Sequence, residues 1–405
     1  MARLLILGGS NCQIAAFRRA KRLGLETVLF DYLQNPPAAA LADLHLPIST
    51  FDWRGCARQA ALLHLDGVMT LGTDQPVFTA AYIAQRLGLP SYLSKEQALA
   101  VTNKALMKHI LTDHGIPTNP YRLVGEEGLT HWPYPGDLVM KPLDSQGQKG
   151  VFRVSSPEEA VCLYSRTAAY SRCKKILWER YYPSKEVTVS AWVDGGIATV
   201  LTITDRMTFP HPKHIGVCAA HRYPSRYAQG QEGLLSTLTQ QITDAFGIPK
   251  GPLYIQYLFG EEGVVVNELA CRIGGAFEDV TIPSATGFDI LGAVMDGALG
   301  REVPPPKIEK GCGSFRVLMP FARQGKLAYI TPLEETKALP FVQDAGYNFR
   351  QGQVLPAFEH AGARLGHIVL TAENEEQMGR YLKEFYRVFQ VLDEAGNNML
   401  LPFEE

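Results

Sequence analysis

The first ninety residues alternate between short apolar runs and stretches with helical spacing. Residues 3–7, 27–31 and 67–71 are apolar runs of strand length, and residues 11–23 place apolar side chains at helical intervals. Strands that alternate with helices are typical of a parallel sheet covered by helices. The pattern therefore predicts a parallel α/β domain over residues 1–93.

The pattern changes after residue 93. Ser94, with a glutamine three residues later, forms a capping-box sequence that predicts one helix from there to about His114. From Asp137 to Leu269 the apolar runs and turns are typical of antiparallel strands with helices between them. We expect a second, α+β domain over residues 94–309.

The last part of the chain has its own pattern. Three consecutive prolines at 304–306 mark a linker, and strand-like runs follow at 315–319 and 367–371, with a helix near 375–389. We expect a small α+β domain over residues 310–405.

Composition excludes several classes of protein. Hydrophobic residues make up 46% and charged residues 20%, and the net charge is −2. This is an ordinary globular composition without the basic stripe of a nucleic-acid-binding protein. No apolar run is long enough to span a bilayer, and the seven cysteines form no CxxC pair. We expect a cytoplasmic protein with reduced thiols and neither a nucleic acid nor a membrane as partner.

Lys141 is the first residue with candidate chemistry. It ends the run DLVMK and is followed by the loop DSQGQKG, residues 144–150, before another strand. A lysine beside a small glycine-containing loop suits a triphosphate, because the ammonium and the loop amides both attract phosphate oxygens. Lys104, in the capped helix, is a second candidate phosphate ligand. An ordinary hairpin with solvated lysines is the alternative.

Residues 251–275, GPLYIQYLFGEEGVVVNELACRIGG, carry the clearest pattern. Two β runs flank the sequence EEG, which predicts a three-residue hairpin loop and places Gln256 opposite Glu268. Side-chain oxygens on one face suit Mg²⁺. Arg272 just beyond the strand can bind a phosphoryl or carboxylate oxygen through two parallel hydrogen bonds. The alternative is a structural Gln–Glu hydrogen bond with Arg272 in an ion pair.

Two weaker features complete the candidates. Residues 8–11, GGSN, connect a strand to a helix and could bind an anion, with Asp31 at the end of the next strand. The third glycine of the dinucleotide motif is replaced by Gln13, so a structural turn is as good an interpretation. Residues 205–214 contain His211 and His214, which together with His221 could form a polar pocket wall; surface histidines on a loop are the alternative.

Together these segments resemble the ATP-grasp superfamily, of the carboxylate–amine ligase type. Residues 101–121 resemble its helix lysine and the turn that follows, and residues 137–151 its strand lysine and phosphate loop. Residues 176–189 resemble the hinge, and residues 265–275 the metal-binding strand. Residues 363–382 are similar to the C-terminal domain of the L-amino acid ligases.

The resemblance implies a fold and a set of roles. The fold would be an N-terminal α/β domain, an ATP-grasp domain of two α+β subdomains with a lid at about 115–178, and a small C-terminal domain. ATP would contact Lys104, Lys141, Ser145, Gly147, Glu179, Tyr181, Tyr182 and Glu186, with the adenine on the backbone of the hinge and the ribose on Glu186. Mg²⁺, or Mn²⁺ in its place, would bind Gln256 and Glu268. Substrate would contact Arg206, Arg272, Gly274 and Gly275, and the catalytic residues would be Lys141 and Arg272.

Two positions depart from the usual pattern. The first metal ligand is usually acidic but is Gln256 here, as in the carbamoyl phosphate synthetase branch. The asparagine usually found two residues after the metal glutamate is Ala270. Either change could leave one metal site rather than two.

The resemblance implies an ATP- and Mg²⁺-dependent ligase. It would activate a small carboxylate as an acyl phosphate and couple it to an amine, for example one amino acid to another. Bicarbonate activation and a catalytically silent nucleotide-binding protein are the alternatives. The partners would be a small carboxylate and an amine, and a homodimer is the default expectation because two-fold assemblies are common.

Overall fold

The N-terminal part of the chain is a four-stranded parallel sheet. The computed structural model describes residues 1–129, 131–145, 147–209, 211 and 215–403. In chain order the first elements are β1 (Arg3–Leu7), α1 (Ile14–Arg22), β2 (Glu26–Phe30), β3 (Leu44–Leu46), α2 (Trp53–Ala60), β4 (Gly67–Met69) and α3 (Gln75–Leu87). The strand order is β3-β2-β1-β4. The predicted parallel sheet is confirmed, but the apolar pattern does not predict β3, because its three residues are partly exposed.

Two helices follow where the sequence predicted one: α4 (Lys95–Thr102) and α5 (Lys104–Asp113). The capping box at Ser94 is confirmed, since its hydroxyl accepts from the Gln97 amide at 3.1 Å and the Gln97 side chain accepts from the Ser94 amide at 2.9 Å. The single helix is wrong. Asn103 has extended backbone angles, and its side-chain oxygen accepts from two amides of the next turn. The break places Lys104 in the first turn of a new helix.

A small antiparallel sheet follows α5. Its elements are β5 (Tyr121–Val124), β6 (Leu138–Pro142), β7 (Phe152–Val154), α6 (Pro157–Ala168) and β8 (Ile176–Arg180). The strand order is β5-β8-β6-β7, and α6 packs on β6 and β7. Trp178 is fully buried between this sheet and its helix. This layer holds the predicted phosphate loop between β6 and β7.

The central part of the chain forms long antiparallel strands. Its elements are β9 (Ser184–Asp194), β10 (Ile197–Thr208), β11 (Cys218–Tyr223), α7 (Glu232–Ala245), β12 (Lys250–Gly260), β13 (Gly263–Ala270), α8 (Glu278–Thr286) and α9 (Ile290–Ala298). The largest apolar core lies between one face of these strands and the helices α4, α5 and α7. The other face is left to carry polar side chains.

The C-terminal strands extend this central sheet. They comprise β14 (Ser314–Leu318), β15 (Gly325–Lys326), β16 (Tyr329–Ile330), α10 (Leu333–Lys337), β17 (Val342–Tyr347), β18 (Val354–Leu355), β19 (Gly366–Ala372), α11 (Glu375–Val388) and β20 (Val391–Leu392). The full order is β13-β12-β9-β10-β11-β14-β19-β17. One sheet of eight strands therefore runs from the predicted metal-binding hairpin to the C-terminal segment, and the strands and helix expected in that segment are confirmed as β14, β19 and α11.

Across the described parts of the chain, helices long and apolar enough to cross a membrane are absent.

Candidate functional site

A cleft of about 240 Å³ lies between the small sheet and the large one. All eight residues predicted to contact ATP and both predicted metal ligands line it: Lys104, Lys141, Ser145, Gly147, Glu179, Tyr181, Tyr182, Glu186, Gln256 and Glu268. We call it the first cleft. Lys104 and Glu268, which are 164 positions apart in the sequence, both line this cleft because the hinge between β8 and β9 joins the two sheets.

Two lysines hold the buried carboxylate of Glu179 in this cleft. Lys141 Nζ lies 2.5 Å from one carboxylate oxygen, and Lys108 Nζ lies 3.0 Å from the other. Burial alone would raise the pKa of Glu179, but the two ammonium groups lower it to about 2. Burial also lowers the pKa of Lys108, and the contact with Glu179 opposes that change. The side chain of Glu179 therefore positions Lys141, while its backbone remains the predicted hinge contact.

Lys104 is attached to the phosphate loop. Its Nζ donates to the backbone oxygen of Ser145 at 2.8 Å. Gly147 and Gly150 in this loop have φ of +68° and +72°, which side chains other than glycine rarely adopt. The loop also touches the C-terminal segment, since the Ala361 amide donates to the Gly147 oxygen at 3.3 Å. The lysine, the loop and the C-terminal segment therefore meet at one end of the cleft.

The hairpin of β12 and β13 differs from the predicted one in its turn. Gln256 pairs with Glu268 as predicted, but Gly260 pairs with Gly263, so the turn has two residues rather than three. A register shift after Gln256 inserts one extra residue into β13. The bulge compensates for the shorter turn, which is why the predicted pairing is correct although the predicted loop is wrong.

Asn267 occupies the bulge and was missed by the sequence analysis. Its side-chain oxygen accepts from Lys141 Nζ at 3.0 Å, and its amide nitrogen donates to the Gln256 side-chain oxygen at 3.3 Å. The available indication was a polar residue inside the apolar run VVVNELA, next to Glu268. Asn267 thus connects a lysine of the small sheet with the hairpin of the large sheet.

The oxygen atoms in this cleft fit a hard divalent cation. Gln256, Asn267 and Glu268 present amide and carboxylate oxygens beside the phosphate-binding lysines. Within the described ranges, no group of three or more His, Cys, Asp or Glu side chains is placed to hold a metal. Mg²⁺ commonly takes only one or two protein ligands and fills its shell with phosphate oxygens and water. The residues present therefore fit Mg²⁺ or Mn²⁺ bound together with a nucleotide.

Glu186 contacts two other polar side chains of the site, Gln256 and Arg206. Its carboxylate accepts from Gln256 Nε2 at 3.1 Å and forms an ion pair with Arg206, whose Nη2 donates to the Gly216 oxygen at 2.8 Å. Arg206 is buried, and Glu186 more than cancels the effect of burial on its pKa, which is raised. The residue predicted to contact ribose and the one predicted to contact substrate are therefore bonded to each other.

A second chamber of about 380 Å³ adjoins the first cleft and shares Gly147, Arg206, Gln256 and Glu268 with it. Arg272 and Gly275 line this second chamber. Arg272 Nε donates to Asp74 Oδ1 at 2.8 Å, and its guanidinium lies 4.7 Å from the Tyr254 ring centre. Asp74, which precedes α3 and lines both spaces, was not among the predicted site residues.

Gly274 lines neither space as the structure describes them. A Cβ on Gly274 would lie 2.0 Å from a carboxylate oxygen of Glu278, and one on Gly275 would lie 2.8 Å from the Gly72 oxygen. Both positions require glycine for packing. Substrate contact at Gly274 stays a prediction, with close approach of Glu278 as the observed reason for glycine.

The three histidines singled out in the sequence, His211, His214 and His221, do not share one environment. His211 lines the first cleft, and His214 lies outside the described residues. His221 is 3% exposed in β11, and its Nδ1 lies 3.1 Å from the Thr204 hydroxyl. His221 lines the second chamber, which agrees with the pocket-wall interpretation, and the alternative of a surface loop histidine is wrong for it because β11 continues the central sheet. Burial and two nearby arginines lower its pKa to about 3.

The N-terminal GGSN turn is held by Asp31. The Asp31 carboxylate accepts from the Gly9 amide at 2.8 Å and from the Leu33 amide at 2.9 Å. Asn11 in this turn lines the second chamber. Asp31 therefore stabilises a turn, as in the structural interpretation of this motif.

Known proteins resemble this chain over most of its length. Residues 317–391 match the family described as L-amino acid ligase C-terminal domain 2. The y4rH protein of Sinorhizobium fredii is 24% identical over 73% of this chain, which aligns with 61% of that protein. The L-arginine-specific L-amino acid ligase of Bacillus subtilis is 22% identical over 76% of each chain.

Solved structures share the fold. The L-amino acid ligase from Bacillus licheniformis has a TM-score of 0.79 at 21% identity and covers 97% of this chain and 99% of its own. A biotin carboxylase domain from Hydrogenobacter thermophilus, solved with MgADP and bicarbonate, has a TM-score of 0.74 at 15% identity and covers 96% and 90%. These neighbours are ATP-grasp enzymes, which confirms the expected resemblance. The chain therefore has the ATP-grasp fold, and its residues 317–391 match the L-amino acid ligase C-terminal domain.

Proposed function

We propose that this protein is an ATP- and Mg²⁺-dependent ligase that activates a carboxylate as an acyl phosphate and joins it to an amine. The proposal rests on the way the two spaces of the site adjoin. The first cleft, with its phosphate-binding lysines and metal-ligand oxygens, opens into a second chamber lined by Arg206, Arg272 and Glu268. A nucleotide in one space and a carboxylate in the other would meet at Glu268.

Each residue then has a defined task. Lys104 and Lys141 neutralise phosphate charge, and Glu179 and Asn267 fix the position of Lys141. Gln256 and Glu268 would hold Mg²⁺, and the bound cation would neutralise phosphate charge. Arg272, oriented by Asp74, stabilises negative charge on the carboxylate and on the oxyanion that forms when the amine attacks.

The architecture also supports exclusion of water. The loop between β6 and β7 lies over the end of the cleft and contacts the C-terminal segment through Gly147. We assign the small sheet, residues 115–178, as the lid that closes on bound nucleotide. Closure protects a hydrolysable acyl phosphate until the amine arrives.

The size of the second chamber favours a ligase over a bicarbonate-activating enzyme. Bicarbonate has four heavy atoms, whereas the chamber has a volume of about 380 Å³ and its walls include apolar side chains such as Phe277 and Met319. A chamber of this size suits two small organic substrates such as amino acids. The intact lysines and Glu268 argue against a silent nucleotide-binding protein.

The test is ADP release from the purified protein with Mg-ATP and pairs of L-amino acids or small carboxylates. We expect release that requires both partners and a product one water lighter than their sum, detected by mass spectrometry. E268Q is the inactive control. Release that depends on bicarbonate alone, or ATP binding without release for any pair, would contradict the proposed ligase.

A further inference from the structure

Three arginines line the second chamber, and two of them have carboxylate partners. Arg206 pairs with Glu186, and Arg272 pairs with Asp74. Arg364, the third, forms no ion pair with any carboxylate in the described parts of the chain. Arg364 therefore differs from Arg206 and Arg272 because it has no carboxylate partner among the described residues.

The hydrogen bonds of Arg364 are few for a guanidinium, which has five N–H donors. Nη2 donates to the Cys218 oxygen at 3.3 Å, and the buried Nε has no partner among the described residues. Burial, together with the neighbouring Arg206, lowers the pKa of Arg364, so its surroundings oppose the charge. A partly buried cation with a buried, unpartnered Nε and no carboxylate within ion-pair distance is less stable than one paired with an anion, which a ligand could supply.

Among the described arginines whose buried Nε has no hydrogen-bond partner, Arg364 is the one that forms no ion pair. The Nε atoms of Arg3, Arg19 and Arg180 are also buried and without a partner. Each of those side chains nevertheless forms an ion pair with a carboxylate through another nitrogen. Arg364 lacks that compensation and lines a chamber that can admit an anion.

The location of Arg364 separates it from the reacting groups. Its guanidinium bonds to Cys218 at the start of β11, and β11 is three strands from β12, which carries Gln256. Arg364 lines the second chamber but not the first cleft, whereas Gln256 and Glu268 line both. A carboxylate bound in the first cleft, beside the nucleotide phosphates, would lie outside the space that Arg364 lines. A second carboxylate, a few bonds beyond the reacting atoms, falls within its reach.

We propose that Arg364 binds a carboxylate that does not react, so that one of the two substrates carries a free carboxylate besides the groups that are joined. This inference rests on the proposed ligase function and specifies its substrate class. The free carboxylate belongs either to an α-amino acid acting as the amine or to a dicarboxylic acid acting as the acyl donor. Both sources present the same planar anion to the guanidinium fork.

The kinetic test compares acids with their amides in the wild type and in R364Q. The amine series pairs L-amino acids with L-amino acid amides, and the acyl series pairs L-glutamate with L-glutamine. Loss of a charge-assisted hydrogen bond predicts a KM about 10- to 100-fold higher in R364Q for the substrate that carries the free carboxylate. The matching amide should have a high KM in the wild type and no higher a KM in R364Q. The KM for ATP should be the same in both proteins. The series that responds identifies the source.

Equal losses for acid and amide, or no change in either KM, would overturn the inference. R364K keeps the charge without the fork and should fall between the wild type and R364Q. Near-ultraviolet circular dichroism and the unfolding midpoint without substrate show whether each variant is folded.

A binding test separates this inference from the ligase proposal. In thermal unfolding with the same acids and amides, ligand that binds only the native state raises the midpoint. We expect a rise with the acid but not with the amide in the wild type, and no rise in R364Q. This pattern without any ADP release would contradict the ligase and retain the carboxylate site. No acid-dependent rise in the wild type would overturn the carboxylate site itself.

Discussion

The ammonium of Lys141 donates a 3.0 Å hydrogen bond to the side-chain oxygen of Asn267. Lys141 belongs to the small sheet and Asn267 to the bulge of the large one, so this bond joins the proposed phosphate site to the metal-ligand hairpin. The same asparagine donates to Gln256 at 3.3 Å. The side chain of Asn267 therefore contacts both halves of the proposed nucleotide site.

Replacing Asn267 should weaken nucleotide binding. In N267A, Lys141 keeps Glu179 but loses its contact with the hairpin, so the KM for ATP should rise about threefold to tenfold, the loss expected for one hydrogen bond. ADP release against ATP concentration measures the change. The control is N397A at an exposed turn, whose KM for ATP should equal the wild-type value. An unchanged KM for ATP in N267A would show that this bond does not position Lys141.

The metal-ligand hairpin gives a second prediction. E268Q should abolish ADP release, because an amide replaces the carboxylate assigned to Mg²⁺. E261Q, at the exposed turn of the same hairpin, is the matched control and should keep wild-type activity. Normal turnover in E268Q would remove Glu268 from the metal site.

Adding a negative charge at Gln256 should change the stability of the protein. The Gln256 Nε2 donates to the Glu186 carboxylate at 3.1 Å, so Q256E places two carboxylates in contact. We expect a lower unfolding midpoint than wild type without metal, and recovery when Mg²⁺ and ATP are added, because the cation separates the like charges. Thermal unfolding with and without Mg-ATP measures both effects. A Q256E protein as stable as wild type without metal would contradict the contact with Glu186.

The fold was largely predictable, because long apolar patterns and the capping box at Ser94 are local properties of the chain. The pairing of Gln256 with Glu268 was also correct, although the bulge at Asn267 and the two-residue turn were not foreseen. The polar Asn267 inside an apolar run was the one local indication, and it does not by itself distinguish a bulge from a regular strand position. The break at Asn103 was equally hidden, since both helices carry similar spacing.

The partners of the site residues were the least predictable part. Asp74, Lys108 and Arg364 are bonded or placed by tertiary contacts between segments that are far apart in sequence. Each looks like an ordinary polar residue in its own segment. Only the assembled sheets show that Arg364 forms no ion pair with the described residues whereas Arg272 pairs with Asp74.

The buried Glu179 predicts a pH dependence of stability. Its folded pKa is about 2, below the usual value of about 4.5, because Lys108 and Lys141 outweigh the effect of burial. A lowered carboxylate pKa stabilises the fold above pH 4.5, and that contribution is lost as the pH falls from about 4.5 towards 2. The contribution at neutral pH is on the order of 2–3 kcal/mol.

Urea unfolding of the wild type and E179Q from pH 6 to pH 3 tests this effect. The difference between their free energies of unfolding should shrink as the pH falls. E384Q, at an exposed position of α11, should follow the wild-type profile. A difference between wild type and E179Q that is constant with pH would contradict the ion pairs.

Gly274 distinguishes a packing role from substrate contact. In G274A the new methyl group would lie 2.0 Å from the Glu278 carboxylate, so the free energy of unfolding should fall by about 1–3 kcal/mol. Shortening the neighbour in G274A/E278A should recover most of that loss relative to E278A alone, a coupling that a double-mutant cycle measures. G379A is the control, because Gly379 lies in α11 with nothing within 4 Å of a Cβ, and alanine there should be neutral or slightly stabilising. If Gly274 is instead needed for substrate contact, G274A will raise the KM without loss of stability, and the change at Glu278 will not compensate.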